Sequence, residues 1–258
     1  MKNRDRDNYL REYLRNRPLF LSVLRAKEAY IYRNYLPFKK PVLDYGCGDG
    51  FFAKVAFGGK IEVGLDIRES RIRETKENGI YEKVIVYDGK VIPFKKNYFK
   101  TVVSNSVLEH VGDLDKALTE INRVLKLNGK FLATVMTKKW EDYLWGAKIL
   151  GGIYKTYMRK KQVHVNLLTK RQWDEKFRVA GFKIKKNVGH LDRNTCGLID
   201  LLHYVSLPSL MTYRLFDKWV IAPSVADVIY PRKLILKLTE KKTSLDDSGA
   251  LFYELEKK

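Results

Sequence analysis

The fold of this chain is decided by the stretch Val42-Leu43-Asp44-Tyr45-Gly46-Cys47-Gly48-Asp49-Gly50. Its apolar beginning predicts a buried strand, and Phe51-Phe52-Ala53 after it predicts the start of a helix. Glycines at alternate positions allow a sharp turn and let a ligand approach the backbone closely. The first helical turn offers N–H groups without intrahelical partners. The stretch therefore predicts a ligand-binding turn, with a simple tight turn as the alternative.

The spacing of the glycines narrows the class of ligand. A dinucleotide-binding fingerprint has the pattern G-x-G-x-x-G. In this chain Gly50 comes one residue early, and Phe51 occupies the position of the expected third glycine. Asp44 would also repel a pyrophosphate just before the turn. A cationic or zwitterionic ligand with amine and ribose groups therefore suits the turn better than a dinucleotide does.

The composition is typical of a soluble globular protein with one large domain or one domain with additions. The chain has 258 residues, of which 45% are hydrophobic and 31% are charged. Its two cysteines, Cys47 and Cys196, show neither metal-ligand spacing nor the density of a disulfide scaffold. Residues 1–7 lack the apolar core of a signal peptide, and no apolar run reaches 18 residues. We therefore expect a cytoplasmic protein without a membrane-spanning helix and without a metal among its site residues.

The positive charge is distributed unevenly along the chain. The formal net charge is +20. Residues 136–195 carry 15 basic and 5 acidic side chains, a net +10, whereas residues 41–135 carry 15 and 13, a net +2. Residues 1–40, with 11 basic and 4 acidic side chains, add +7. A neutral body with a basic rim favours an anionic partner, namely a phosphorylated substrate, an anionic membrane surface or nucleic acid; a solvated basic surface is the alternative.

From residue 41 onward the pattern alternates between strands and helices. Asp113 caps one amphipathic helix, and Thr169 with Gln172 forms a capping box before another. Such alternation predicts a parallel sheet with helices on both faces. The predicted strands are Val42–Leu43, Ile61–Asp66, Lys83–Tyr87, Phe99–Ser104, Lys130–Met136, Phe182–Lys185 and Arg232–Thr239.

Polar side chains follow the first four predicted strands at the points where these strands end. They are Asp44, Asp66, Asp88 and Asn105. Ligands of open parallel sheets bind outside the carboxyl ends of the strands. We therefore expect these four side chains to surround one site.

The remaining segments flank this core. A helix predicted over residues 18–36 is either a brace or a lid over the ligand. The apolar segment 190–231 is too long to be a plain loop, and the charged tail from Glu240 is expected to fray. The predicted organisation is an N-terminal helical arm or lid (1–37), a core (38–189), an apolar insertion (190–231), and a last strand with a charged tail (232–258).

Over residues 38–188 the chain resembles the class I S-adenosylmethionine-dependent methyltransferases, and within them the broad methyltransferase type 11 group. The resemblance implies an α/β, Rossmann-like sheet of seven mostly parallel strands, with the last strand antiparallel to the sixth. Asn128, where the family usually has glycine or proline, is a mild departure. The matching motifs are Val42–Gly50, Leu65-Asp66, Asp88-Gly89 with Ile92-Pro93-Phe94, Phe99–Val103, Val107-Leu108-Glu109-His110 and Arg123–Gly129.

The resemblance implies S-adenosylmethionine as the cofactor and assigns residues to its adenosine half. Asp66 is expected to accept hydrogen bonds from both ribose hydroxyls, and Ile67 to pack on the adenine. Asp88 is expected to receive the adenine amino group, with the N–H of Gly89 beside it. The alternatives are that Asp66 only ends a strand and that Asp88-Gly89 is an ordinary turn.

The same resemblance assigns the methionine half. The region of Gly46 and Gly48 is expected to hold the methionine moiety, with Asp44 near its ammonium group. Asn105 is expected to line the methyl side.

Methyl transfer from a sulfonium is an in-line displacement, so the protein mainly positions a nucleophile and excludes water. A general base is needed only when the acceptor holds a proton. His110 is the first candidate and His164 the second, although either could be purely structural. Glu109 could orient the site or contact the cofactor.

Three functions compete at this stage. The first is methylation of a small-molecule, lipid-linked or glycan-linked acceptor, peripherally at an anionic membrane; the basic aromatic stretch Trp140–Lys161 and segment 190–231 would then form the substrate wall. A packed helix with a basic surface is the alternative for that stretch. The second is RNA methylation, favoured by net charge alone; Ser104–Val107 lacks the Asn/Asp-Pro-Pro-aromatic motif of base-amine methylation. The third is a non-catalytic relative that serves as an interaction module.

Overall fold

The computed structural model describes residues 2–67, 72–241 and 243–258, and one seven-stranded sheet lies at its centre. The strands are β1 (Val42–Tyr45), β2 (Ile61–Ile67), β3 (Tyr81–Tyr87), β4 (Phe99–Asn105), β5 (Leu125–Met136), β6 (Phe182–Gly189) and β7 (Ala250–Lys257). They are arranged in the order β3-β2-β1-β4-β5-β7-β6. β1 to β5 pair in parallel, and β7 runs antiparallel to both of its neighbours. This topology confirms the predicted fold class.

Twelve α-helices occur in the described ranges, and several of them contribute to two hydrophobic clusters. α1, α2 and α3 contribute to one cluster, and α5 and α8 to the other. The helices are α1 (Lys2–Leu14), α2 (Leu19–Tyr32), α3 (Phe51–Phe57), α4 (Ile72–Glu77), α5 (Leu114–Val124), α6 (Lys138–Tyr143), α7 (Trp145–Lys161), α8 (Lys170–Val179), α9 (Arg193–Val205), α10 (Leu207–Phe216), α11 (Pro223–Ile229) and α12 (Arg232–Thr239).

Both predicted helix caps are present. The Asp113 carboxylate accepts a hydrogen bond from the Lys116 N–H at 3.1 Å. Thr169 Oγ1 accepts from the Gln172 N–H, while Gln172 Oε1 accepts from the Thr169 N–H at 2.9 Å. These side chains satisfy N–H groups that a helix start leaves without partners.

The predicted last strand over 232–239 is wrong, because these residues form α12. Leu234 and Leu238, which suggested alternation, are both exposed, whereas Ile235 and Thr239 are buried. The two buried residues are four positions apart and share one face of a helix. Leu234 and Leu238 on the exposed face of the helix, with the half-buried Leu236 between them in sequence, therefore imitated the alternation of a strand.

The seventh strand is instead β7, in the tail that was expected to fray. Its charges are paired across the sheet: Glu254 accepts from Lys130 of β5 at 2.6 Å, and Glu256 lies 3.4 Å from Lys185 of β6. The connection from β6 to β7 consequently spans residues 190–249 and contains four helices, α9 to α12.

The N-terminal arm packs against the sheet as a brace. The Tyr32 hydroxyl of α2 is fully buried and donates to the Ser104 carbonyl of β4 at 3.0 Å. Arg17, after α1, pairs with Asp49 of the glycine turn at 2.6 Å. The arm therefore belongs to the same hydrophobic core as the sheet.

Among the described residues, no helix has both the length and the apolar character needed to cross a bilayer.

Candidate functional site

The glycine turn joins β1 to α3, and the structure explains in different ways why two of its positions are glycine. Gly46 has φ +79°, and a Cβ there would collide with the Val107 side chain that follows β4. Gly48 has φ +55°, and a Cβ there would meet nothing within 4 Å. Gly46 is thus required by packing inside the protein. Gly48 leaves its backbone open on the side from which a ligand could approach.

Asp66 lies against this turn. At the end of β2, its Oδ2 accepts from the Gly48 N–H at 2.6 Å, and its Oδ1 accepts from the Ile67 N–H at 2.7 Å. Burial raises the pKa of Asp66, and the two backbone hydrogen bonds oppose that rise. Ile67 beside it is 46% exposed. Gly89 at the end of β3 is a neighbour, since a Cβ built on it would lie 3.7 Å from Ile67 Cγ2.

Asp44 of β1 is buried and has a partner that the sequence did not indicate. The Tyr81 hydroxyl of β3 donates to Asp44 Oδ2 at 2.6 Å. Burial raises the pKa of Asp44 to about 7; the hydrogen bond from Tyr81 opposes this rise, and the charge of Asp66 adds to it. The Asp44 carboxyl is therefore divided between its neutral and ionised forms near neutral pH.

Asp88 is exposed at the end of β3, and its carboxylate accepts hydrogen bonds within the turn that follows. Its Oδ1 accepts from the Lys90 N–H at 2.9 Å, which lowers the pKa of Asp88. Gly89 has φ +77°. This geometry is that of an Asx turn, and it leaves the second carboxylate oxygen available.

Asn105 ends β4 and is tied to a buried acid of the N-terminal arm. Its Oδ1 accepts from Thr134 Oγ1 at 2.7 Å, and its Nδ2 donates to Glu28 Oε2 at 2.9 Å. Ser106 Oγ donates to Glu28 Oε1 at 2.8 Å. Glu28 of α2 is fully buried and also pairs with Arg25 at 2.6 Å.

Glu28 is a site residue that the sequence reasoning missed. It occupies the apolar stripe of α2, four residues after Leu24 and three before Ile31. A single acid in an apolar helical stripe was a usable signal, because charged residues are almost never fully buried unless they are paired.

The two candidate bases, distant in sequence, come together in the structure. The rings of His110 and His164 have centroids 5.0 Å apart. Burial lowers the pKa of both imidazoles, that of His164 to about 4 with help from the charges of His110 and Arg159. His110 Nδ1 lies 3.0 Å from the Val163 carbonyl oxygen. Both rings are therefore mainly neutral at pH 7.

Glu109 adjoins these histidines and is fully buried. Neither of its carboxylate oxygens has a hydrogen-bond partner within the described part of the chain. Burial raises its pKa to about 8, and the nearby backbone N–H groups of Glu109 itself and of Met136, although not in good hydrogen-bond geometry, oppose that rise. The charges of Arg25 and Glu28 also act on Glu109, so this cluster lies close to the Glu28 network.

The basic aromatic stretch 140–161 packs against α9. The Tyr154 hydroxyl donates to Asp200 Oδ1 at 2.6 Å, and the Gly146 N–H donates to Asp200 Oδ2 at 3.0 Å. Trp140 is buried, and Arg159 pairs with the buried Glu141 at 2.5 Å. Much of the stretch is thus committed to packing.

The insertion carries exposed apolar side chains. No residue of α10 is buried. We call the following exposed residues of α10 and α11 the apolar rim: Leu207, Met211, Leu215, Phe216, Val228 and Ile229.

Comparison with known sequences places the glycine turn and β1 to β5 in one family. Residues 43–133 match the family described as methyltransferase domain. An uncharacterised protein of Methanocaldococcus jannaschii is 28% identical over 62% of this chain and 73% of its own length. The mitochondrial arginine-hydroxylase NDUFAF5 of Homo sapiens is 35% identical over 36% of this chain, and the match spans only 28% of that relative.

The fold also matches solved structures over nearly its whole length. One is an S-adenosylmethionine-dependent methyltransferase, a possible histamine N-methyltransferase, from Thermotoga maritima, with a TM-score of 0.60. The alignment covers 93% of this chain and 92% of that one, at 17% sequence identity. At this identity the likeness is one of fold.

Proposed function

Residues 43–133 are a class I S-adenosylmethionine-dependent methyltransferase domain with S-adenosylmethionine as its cofactor, and we propose that the chain methylates an anionic small-molecule, lipid-linked or glycan-linked acceptor. The main observation that supports binding of the cofactor is the position of the Asp66 carboxylate, 2.6 Å from the Gly48 N–H of an open glycine turn. The acceptor half rests on the charge and exposed apolar surface of segments outside the domain match.

The chemistry of the described residues fits this cofactor. A carboxylate offers about four acceptor positions, so Asp66 keeps capacity for two hydroxyl donors after its two backbone bonds. The exposed Ile67 offers an apolar surface for a flat ring beside that carboxylate. Gly48 would leave room for the methionine part, and the ionised form of Asp44 would favour a cationic ammonium group nearby.

When bound, this cofactor supplies a methyl group on a positively charged sulfur that is already a good leaving group. The chain therefore has to orient the acceptor and exclude water. Asn105 is held by Thr134 and Glu28 at the end of β4, where it could orient an acceptor. For an acceptor that holds a proton, neutral His110 could accept that proton.

The acceptor class is supported by the segments that follow β5. The basic residues Arg159, Lys160 and Lys161 end α7, which packs on α9. The apolar rim follows on α10 and α11. Cationic side chains beside exposed apolar ones suit an anionic headgroup with a lipid tail, or an anionic membrane surface.

Isothermal titration with S-adenosylmethionine tests the cofactor half. We expect Asp66→Asn to weaken binding by about 10- to 100-fold, because hydrogen bonds to a charged group contribute about 1.5–3 kcal/mol. The matched control is Asp113→Asn, which keeps an equally good helix cap. Equal affinity of wild type and Asp66→Asn would contradict the assignment.

The acceptor half needs a separate experiment. Transfer of a radiolabelled methyl group should be measured on fractionated lipid, glycan, RNA and protein extracts. Co-sedimentation with vesicles of phosphatidylserine and phosphatidylcholine should fall at least about threefold for Leu215→Ser with Phe216→Ser, and not for Val179→Ser, an exposed apolar control on α8. Labelling confined to water-soluble acceptors, or vesicle binding indifferent to the rim, would exclude the lipid-linked class.

RNA methylation is the second candidate, and the net charge of +20 is the observation that favours it. This function predicts that the protein binds RNA and that the binding weakens steeply as the salt concentration rises. Absence of retention at low salt would exclude it.

A further inference from the structure

Three side chains with metal-binding chemistry converge beside the end of β4. Glu109 and His110 belong to a single 3₁₀ turn, Leu108–His110, and His164 follows α7. One potential ligand atom from each lies within 4.8 Å of the other two. The Val165 and Asn166 N–H groups donate to the Glu109 carbonyl oxygen at 2.8 and 2.9 Å. These two backbone hydrogen bonds therefore hold the turn Leu108–His110 next to the segment that follows α7 and carries His164.

Two of the three side chains have buried polar atoms without partners. Glu109 is fully buried, and both of its carboxylate oxygens lack hydrogen bonds to any described residue. The same is true of His164 Nδ1. Buried polar groups in proteins are normally hydrogen-bonded, and buried charges are paired or coordinate metals. These orphaned atoms lie in one cluster, which points to a missing common partner.

The third side chain, His110, is exposed and keeps one ring nitrogen available for a ligand. His110 Nδ1 lies 3.0 Å from the Val163 carbonyl oxygen, which can only accept a hydrogen bond. The proton therefore resides on Nδ1, and Nε2 carries a free lone pair. A metal-bound histidine almost always donates its other N–H to a carbonyl or carboxylate in this way.

From this arrangement we propose that Glu109, His110 and His164 bind a first-row divalent transition metal ion of the Zn²⁺ type. Two imidazole nitrogens with one carboxylate suit such ions, whereas Mg²⁺ and Ca²⁺ prefer all-oxygen sites. Metal–ligand distances are about 2.0–2.2 Å, which places tetrahedral ligand atoms about 3.3–3.6 Å apart, so the three ligand atoms have to approach one another by up to about 1.4 Å on binding. Three protein ligands leave coordination positions open for water or for a ligand oxygen.

This site goes beyond the proposed methyl transfer, because the ion would bind whether or not a methyl acceptor is present. A bound ion would occupy Nε2 of His110, so His110 could act as a proton acceptor only in the chain without the ion. It also differs from the expectation that the site residues include no metal ligand. Its position is informative: Ser106, three residues before Glu109, donates to Glu28 at 2.8 Å. The ion would thus lie on the acceptor side of the site, near Asn105.

The test uses the untagged full chain, stripped with a chelator, and Zn²⁺ or Co²⁺ alone as the probe. We expect one Zn²⁺ per chain by calorimetry, and visible absorption bands when Co²⁺ is added. Glu109→Gln and His164→Ala should each weaken Zn²⁺ binding by more than about tenfold. His203→Ala, which removes a histidine of α9 outside the cluster, should bind like wild type.

Thermal unfolding without metal checks that each variant folds, and Glu109→Gln decides the question if His164→Ala does not fold. Absence of Zn²⁺ uptake by the wild type would overturn the proposal. Equal uptake by Glu109→Gln and wild type, or loss of uptake only in His203→Ala, would overturn it as well.

Discussion

Asp44→Asn is expected to stabilise the protein without its cofactor while weakening cofactor binding. The carboxyl of Asp44 is 5% exposed, and the Tyr81 hydroxyl donates to it at 2.6 Å. Asparagine has nearly the same shape and keeps a carbonyl oxygen for Tyr81. The substitution therefore removes the ionisable group and little else.

The magnitude follows from the pKa of Asp44, which burial raises from 3.8 to about 7. That difference corresponds to about 4 kcal/mol. The folded state holds the proton more tightly than the unfolded state does, so the wild type loses stability as pH rises from about 4 to about 7. Above pH 7 the Asn variant should be more stable by up to about 4 kcal/mol, and below pH 4 the two should be equal.

Urea unfolding at pH 5 and pH 8 measures this difference directly. The stability advantage of Asp44→Asn should be about 2–3 kcal/mol larger at pH 8 than at pH 5. Asp88→Asn is the matched control, because Asp88 is exposed and its local hydrogen bonds lower its pKa. The control should gain no stability with rising pH. An advantage of Asp44→Asn that is independent of pH would refute the reasoning.

The opposite sign is expected for cofactor affinity. An ionised carboxyl that destabilises the free protein can attract a cationic ammonium group, so its removal should weaken S-adenosylmethionine binding by about tenfold at pH 8. If affinity rises together with stability, Asp44 does not serve the methionine half of the site.

Two further substitutions probe the turn and the arm. Gly48→Ala and Gly58→Ala both place a methyl group in open space at positive φ and should each cost about 1–2 kcal/mol of stability. Measured by calorimetry, only Gly48→Ala should lose more than about tenfold in affinity for S-adenosylmethionine. Equal affinities of the two variants would show that the ligand binds elsewhere. Glu28→Ala should lower the free energy of unfolding in urea by about 3–5 kcal/mol, because three partners lose the buried carboxylate to which they donate. Substitution of the exposed Glu12 by alanine should cost less than about 1 kcal/mol. A similarly small loss for both variants would show that the Glu28 network does not stabilise the protein.

Local sequence signals predicted those parts of the fold that local physics determines. The caps at Asp113 and Thr169 satisfy N–H groups within their own helices, so they could be recognised without tertiary information. The contact between Asp66 and Gly48 could also be anticipated, because neighbouring parallel strands bring their carboxyl ends together.

The errors arose where tertiary contacts decide the structure. β7 looked like a fraying tail because Glu254 and Glu256 are charged, yet each pairs with a lysine of a neighbouring strand. The leucines of 232–239 alternate, yet only tertiary packing reveals that Ile235 and Thr239 face inward. The meeting of Glu109 with His164 depends on a backbone contact across more than fifty residues, which no spacing rule predicts.

Glu28 indicates how the two halves of the site are joined. The proposed cofactor residues Asp44 and Asp66 lie in β1 and β2, and Asp88 directly follows β3, on one side of the sheet order, whereas Asn105 ends β4 and Glu109 follows it. The Glu28 carboxylate accepts hydrogen bonds from Asn105, which ends β4, and from Ser106, which follows it. It also accepts one from Arg25 of its own helix. Since α2 is also fixed to the sheet through Tyr32, the geometry of the acceptor side is set by a helix outside the 43–133 domain match. Acceptor specificity should therefore depend on the N-terminal arm, even though the cofactor residues all lie within the shared domain.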